Sequence, residues 1–364
     1  MHVRILDKYI FREVCKAFLF GICAFSAVFI GSGTLFNIAK YITDYGASLS
    51  AVVKVFVFGL PNVIMWTFPM SMLLATLLTF GRLSSSSEIT AMKSCGIGFF
   101  RIAMPAILLG FLVSIVAILF NEHVVPWANT AYRNVVYYEI QGNSGAKSQD
   151  HIILKDIKDG QIQRLLYARR YDADSQSLQS ITLQEFDGAG KVSHVENAEY
   201  AEFTGKEWVM HNGMLYDISD GESEHTLRFN TQVLPINASP RQIVREQKDP
   251  EELTMKELKA QIRIMKTQYV DTSKLETELY QRITVPMASL IFALVGVPLG
   301  LQPTRNSSSA GFAMSVIIIF SYYALMTMAN AIGRSGALSP MLAVWIPNIV
   351  GLIAGLFLIR KASR

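Results

Sequence analysis

Six runs without Asp, Glu, Lys, Arg or His decide what this chain can become: residues 17–39, 55–81, 102–121, 283–301, 310–333 and 337–359. A helix rises about 1.5 Å per residue, so each run is long enough to cross roughly 30 Å of hydrocarbon. Composition agrees, because 51% of the 364 residues are hydrophobic and the mean hydropathy of +0.30 is too high for a soluble chain of this size. The first run is not expected to be a cleavable leader, since it outlasts a signal core and no small-x-small site precedes a soluble remainder. The expected fold is an α-helical membrane protein with six transmembrane helices.

Basic residues in the short segments beside the spans set the orientation. Arg4, Lys8, Arg12, Lys16, Arg82, Lys93, Arg101, Arg305, Arg360, Lys361 and Arg364 fall on one side, eleven in all, against three on the other, Lys40, Lys54 and Arg334. Both termini are therefore expected in the cytoplasm. The net charge of +4 comes from these anchors at membrane edges. They form no aromatic-interleaved basic patch, so no nucleic-acid partner is implied.

One large hydrophilic insertion, residues 132–276, lies on the side opposite the termini. Within it "HIILKDI", "QRLLYARRY", "QSITLQEF", "EWVMHNGMLYDI" and "HTLRFNTQVLPI" alternate in polarity. Turn signals separate them at Asp159-Gly160, "DGAG", Thr204-Gly205, Asn212-Gly213 and Asp220-Gly221. Turns this frequent predict an inserted all-β domain, a jellyroll-like sandwich. After Pro240 the period becomes helical, with caps expected at Asp249 and Thr272, and this stretch reads as a connector back to the membrane. Cys15, Cys23 and Cys95 all lie outside the insertion, so no disulfide framework is implied.

A search for chemistry returns little. "GAGKV" and "TGKEW" lack the upstream glycine and the hydroxyl residue of a phosphate-cradling loop, so the chain is not expected to hydrolyse ATP. Uncharged spans disfavour an ion-coupled carrier. Glu122 and His123, at the end of span three, admit a zinc or acid–base role, or they merely end a helix at the interface; the other histidines lack metal-ligand spacing. Between spans two and three lies "GRLSSSSEITAMKSCGIG". Ser85-x-x-Glu88 fits a capping box for a short helix to about Cys95, with Gly96 as its stop. Ile89, Met92 and Cys95 would form one apolar face. Such a helix fits the groove of a partner, or it lies on the lipid surface with Glu88 serving only as a cap.

These residues resemble the YjgP/YjgQ-type permeases LptF and LptG, of the lipopolysaccharide export ABC transporter. The resemblance covers essentially the whole chain. It rests on "ILDKYIFREV", "FPMSMLLATLLTFGRLSSSSEITAMKSCGI", the insertion after span three, and "ELYQRITVPMASLIFALVGVPLGL" with Pro286 and Pro298. "ILDKYI" is more similar to LptG and "SEITAMKSCG" to LptF, which leaves the paralogue open.

The resemblance implies an inner-membrane permease that extracts lipopolysaccharide and passes it to a periplasmic bridge, LptC/LptA. It implies pairing with a second LptF/LptG-type permease subunit and with two copies of the cytoplasmic ATPase LptB. The chain would bind no cofactor, and the partner ATPase would use the ATP. Residues 1–131 would hold spans one to three with a coupling helix at about 85–95; residues 132–276 the periplasmic β-jellyroll and connector; residues 277–364 spans four to six. Glu88 matches the glutamate of the helix that meets LptB, with Arg82, Ile89 and Met92 around it. Lys40 lies in the region of the family's lipid-binding lysines. With Lys54 and Arg334 it forms a cationic rim for lipid phosphates, unless all three are snorkelling anchors. A permease for another amphiphile, and a membrane scaffold that binds partners through its β domain, remain alternatives.

Overall fold

The computed structural model describes residues 5–141, 149–158, 161–173, 175–187, 191–218, 225–234, 240, 248–267, 270–301 and 308–362. They form two compact units, Met1–Gly142 with Pro250–Arg364, and Asn143–Asp249. Arg4, Arg305 and Arg364, and the expected turns Asp159-Gly160, Gly188–Gly190 and Asp220-Gly221, lie outside the described residues.

In the first unit, α1 (Ile5–Phe29) passes through a π-helical segment, Ile30–Thr34, into α2 (Leu35–Tyr45). Next come α3 (Leu49–Ser85), α4 (Glu88–Ser94) and α5 (Phe99–Val135), the last continued by π-helical Val136–Ile140. After the insertion a 3-10 turn, Pro250–Glu252, leads to α6 (Met255–Thr267), α7 (Ser273–Gly300), α8 (Ser308–Arg334) and α9 (Pro340–Ala362). Among the described residues, six segments are long and apolar enough to cross a membrane.

The helices outrun the apolar stretches that reveal them. Both α3 and α5 have 37 residues, about 55 Å of helix against roughly 30 Å of hydrocarbon. Val125, Ala128 and Val135 are buried near the far end of α5, and this packing continues the helix past its polar residues. Glu122 and His123 therefore stand inside α5 rather than at its end.

The centre of the bundle is α3 and α7, whose most apolar windows are 78% and 72% buried; the segment from α1 to α2 is 22% buried, α8 28% and α9 33%. Lipid tails give helices no hydrophobic reason to associate, so close approach must come from small residues. A Cβ on Gly296 of α7 would lie 2.0 Å from Thr76 Oγ1 of α3, and one on Gly110 of α5 would lie 2.7 Å from Ala293 Cβ. Pro286 has no N–H to bond the Arg282 carbonyl. The Asn121 amide donates to that carbonyl instead, at 3.4 Å.

The connector starts differently from expectation. Asp249 precedes the 3-10 turn, and the capping box belongs to Thr254 and Glu257: Glu257 Oε2 accepts from Thr254 N–H at 2.8 Å and Glu257 N–H donates to Thr254 Oγ1 at 3.3 Å. Thr272 occupies the N-cap of α7 but makes no side-chain cap; its hydroxyl donates to Glu276 at 2.8 Å.

The second unit holds β1 (Gln149–Lys158), β2 (Gln161–Asp172), β3 (Ser177–Phe186), β4 (Val192–Phe203), β5 (Trp208–Asp217) and β6 (His225–Leu234). Adjacent strands pair antiparallel in sequence order. Among the described residues this meander replaces the crossed connections of a jellyroll, yet it still makes two layers. Pairing skips one transverse line through His151, Arg169, Ser180, Glu199, Asn212 and Asn230. His151, Ser180 and Asn212 on that line have φ of 57°, 49° and 53°. Inward positions fall three residues apart across it, as in Ala168/Tyr171, Leu178/Ile181 and Ala198/Ala201, instead of two. One extra residue per strand folds the sheet over, as a bulge repeated in register would, and both halves contribute to a single core.

Glu196 and Gln232 confirm the fold-over. Register sets Gln232 level with Ala201, five residues along β4 from Glu196 and two strands away. A flat sheet would separate them by roughly 19 Å, but Gln232 Nε2 donates to Glu196 Oε1 at 3.0 Å. Asn212-Gly213, expected as a turn, thus sits inside β5 at the bend, where asparagine's tolerance of the left-handed region serves a different purpose. Thr204-Gly205 does turn, with Gly205 at φ 88° and Thr204 N–H donating to Glu207 at 3.0 Å.

Candidate functional site

The polar interval between α3 and α5 folds into α4, seven residues held at both ends by backbone geometry. Ser85 ends α3 and its hydroxyl donates to the Arg82 carbonyl at 2.9 Å, so it does not form the expected capping box. Ser87 takes the N-cap position in the left-handed region, φ 62°, without a side-chain cap. At the other end Gly96, φ 80°, donates to Lys93 O at 2.9 Å and Ile97 N–H to Met92 O at 3.1 Å. That pair of bonds is a Schellman stop.

Glu88 opens α4 with both carboxylate oxygens engaged. Oε1 lies 2.9 Å from Ser86 Oγ, and Oε2 accepts from the Tyr9 hydroxyl of α1 at 2.9 Å. Ile89 is buried with Ile10, Val14, Leu83, Phe99 and Ile102, and Met92 packs on the same cluster. The apolar face of α4 thus seats the helix on its own bundle. Thr90, Ala91, Lys93 and Ser94 face outward. Arg82 is half exposed and pairs with Glu13 at 2.5 Å.

At the opposite end of the bundle, Lys40 on α2 is exposed and makes no ion pair among the described residues. Lys54 pairs with Glu139 at 2.8 Å, and Arg334 with Glu278 at 3.6 Å. No trio of His, Cys, Asp or Glu with metal-holding geometry exists among the described residues, which includes the surroundings of Glu122 and His123.

Two groups of residues went unnoticed in the sequence. Asp7, Tyr9 and Glu13 of α1 tie to Arg101, Glu88 and Arg82, each on a different element. Arg282, one residue outside an apolar run, is buried and donates to the carbonyls of Leu253 and Pro250, the latter at 2.6 Å. Glu122 accepts from Met255 N–H at 3.0 Å, Asn129 donates to Glu251 O at 3.2 Å, and Arg133 pairs with Glu252 at 3.0 Å. Together they bolt the start of the connector to the later turns of α5 and the first half of α7. The spacing i, i+2, i+6 of Asp7, Tyr9 and Glu13 ahead of an apolar run is the sequence signal for the first group; of the second, only Glu122 stood out, and for a different role.

The profile of the family described as "Lipopolysaccharide export system permease LptF/LptG" matches residues 8–361. Similar proteins include the lipopolysaccharide export system permease protein LptF of Escherichia coli (strain K12), 22% identical over 97% of this chain and 94% of its own length. LptG of the same organism is 20% identical over 84% of each chain. LptG of Haemophilus influenzae is 19% identical over 96% of this chain and 97% of its own.

Proposed function

The chain belongs to the LptF/LptG family of lipopolysaccharide export permeases, and from that premise we propose that it is one of two permease subunits that lift the lipid out of the inner membrane on energy supplied by a separate ATPase. The second subunit is another LptF/LptG-type permease, and the ATPase is two copies of LptB. The eleven basic residues against three support a topology with the termini and α4 in the cytoplasm and the β unit in the periplasm.

The observation that carries the reading is the seat of α4: anchored inward by Ile89 and Met92, it offers Glu88 and an outward face of Thr90, Ala91 and Lys93 to a partner. ATP binding closes the LptB pair and displaces α4, and spans one and five narrow a cavity shared with the second subunit. Those spans, α1 and α8, are the least buried of the six. An uncharged wall of Met and Phe adapts to acyl chains. Lys40, unpaired among the described residues, is the rim cation best placed to meet a phosphate; Lys54 and Arg334 would first have to exchange Glu139 and Glu278. The folded sheet then receives acyl chains in its interior, and its edge strands β1 and β6 continue into a bridge protein of the LptC/LptA kind.

The test compares Glu88→Gln with Ser85→Ala in the complex reconstituted with LptB. Loss of a charge-assisted hydrogen bond to the partner is worth about 1.5–3 kcal/mol, so Glu88→Gln should weaken LptB co-purification or lipid release per ATP roughly ten- to a hundredfold. Ser85→Ala removes a bond within its own helix and should behave as wild type. Equal behaviour of the two variants moves the docking site elsewhere, and a different co-purifying lipid changes the cargo.

A further inference from the structure

We propose that α1 is the lever through which the coupling loop moves the transport cavity, with Asp7, Tyr9 and Glu13 as its grip and the π-helical segment Ile30–Thr34 as its pivot. This rests on α4 being where the ATPase acts.

The grip comes first. Tyr9 donates to Glu88 on α4 at 2.9 Å, Arg101 on α5 pairs with Asp7 at 2.6 Å, and Arg82 on α3 pairs with Glu13 at 2.5 Å. These are long-range contacts from one stretch of α1 to each of the three elements that make up the coupling loop. Between them Ile10, Val14 and Phe18 are buried against Leu83, Ile89 and Phe99. A displacement of α4 therefore drags the foot of α1 with it, because the interface is packed and cannot shear without breaking charged hydrogen bonds.

The other end is built to stay. Ile38 of α2 is buried with Ala51, Val55 and Val135, and Tyr41 Oη lies 3.3 Å from Tyr132 Oη. A moving foot and a fixed head need something between them that yields. The sequence there is Ile-Gly-Ser-Gly-Thr, with no buried residue. A Cβ on Gly31 or Gly33 would meet nothing within 4 Å, and neither glycine has a positive φ. Neither packing nor backbone sign asks for glycine, in contrast to Gly296. What two glycines in a π-helical turn supply is a weakened hydrogen-bond ladder and backbone freedom, the properties of a hinge. Because most of α1 is uncovered within this chain, a swing about that point changes what faces lipid, cargo and the second subunit.

The experiment uses the full complex with LptB and the second permease in proteoliposomes loaded with lipopolysaccharide. It reads LptB co-purification, ATP hydrolysis and lipid released per ATP. Tyr9→Phe should keep LptB bound and hydrolysis running while release per ATP falls at least about tenfold, the worth of one charge-assisted hydrogen bond, and Asp7→Arg, which also sets a second cation beside Arg101, should lower it at least as far. Asp7→Arg with Arg101→Asp should restore release. Gly31→Ala with Gly33→Ala fits the available space and should lower release without touching assembly. Spin labels at Leu19 and Phe36, both exposed, should change separation on ATP binding in the wild type but not in the double alanine variant. An unchanged label distance in the wild type, full coupling in the double alanine variant, or no rescue by the charge swap overturns the lever. If Glu88→Gln leaves LptB docking and coupling intact, the docking reading fails instead, whatever the labels do.

Discussion

The consecutive spans α7 and α8 have 28 and 27 residues and are almost equally apolar to the eye, but α7 is nearly three-quarters buried and α8 little more than a quarter. In water such a difference would be written as hydrophobicity. In a membrane both faces of a helix are apolar, and the distinction is written in size. Toward its neighbours α7 turns Ala288, Ser289, Ala293 and Gly296, whereas α8 turns Phe312, Phe320 and Met328 away from the bundle. Polar residues divide the same way: Arg282 on α7 is buried among carbonyls, while Arg334 on α8 is half in solvent.

The arginines give the largest test of that contrast. Arg282→Met leaves two backbone carbonyls without their donor in a buried site and should destabilise the detergent-solubilised chain by about 3 kcal/mol. Arg334→Met should change it by less than about 1 kcal/mol. Thermal unfolding measures both, and equal losses would break the distinction.

Next in size is Gly296→Val, which drives a side chain into Thr76 and should cost about 2–3 kcal/mol by overpacking. Phe320→Ala on the outer face of α8 should stay within about 0.5 kcal/mol in the isolated chain. Should Phe320→Ala also weaken co-purification of the second permease subunit, the open face has acquired an identified cover.

The smallest effect carries the contrast into the β unit. Burial pushes the Glu196 carboxyl above the ordinary carboxylate range, against the Gln232 hydrogen bond that lowers it. The folded state then binds this proton more tightly than the unfolded state, so stability is greatest at low pH and declines as pH rises from the unfolded carboxylate value through the raised one. Hydrogen exchange of β4 in the full-length chain should quicken across that window beyond its intrinsic pH dependence, and Glu196→Gln should flatten the response. A flat wild-type profile would mean the carboxyl finds solvent.

Span number and the β insertion were legible because each rests on a local pattern, eighteen or more apolar residues or strict alternation between turns. What was misread rests on context. Ser85-x-x-Glu88 and Thr254-x-x-Glu257 satisfy the same capping pattern, and only the second forms it, because α3 absorbs Ser85 before a new helix starts. Asn212-Gly213 signals a left-handed residue, which a turn and a bend both use. Arg282 looks like a membrane anchor because its carbonyl partners lie 29 and 32 residues away. The outward face of α4 was invisible for a related reason: Ile89 and Met92 announce an apolar face, and the sequence does not say whether its own bundle or a stranger covers it.

The bend across the β strands has a consequence for growth. In an ordinary sandwich each new strand enlarges one layer and unbalances the pair. Here every strand crosses the crease, so one more hairpin at β1 or β6 would add to both layers at once and lengthen the shared core by about 9.6 Å while its cross-section stays constant. The number of strands thus sets how long that core is, and the crease alone sets how wide.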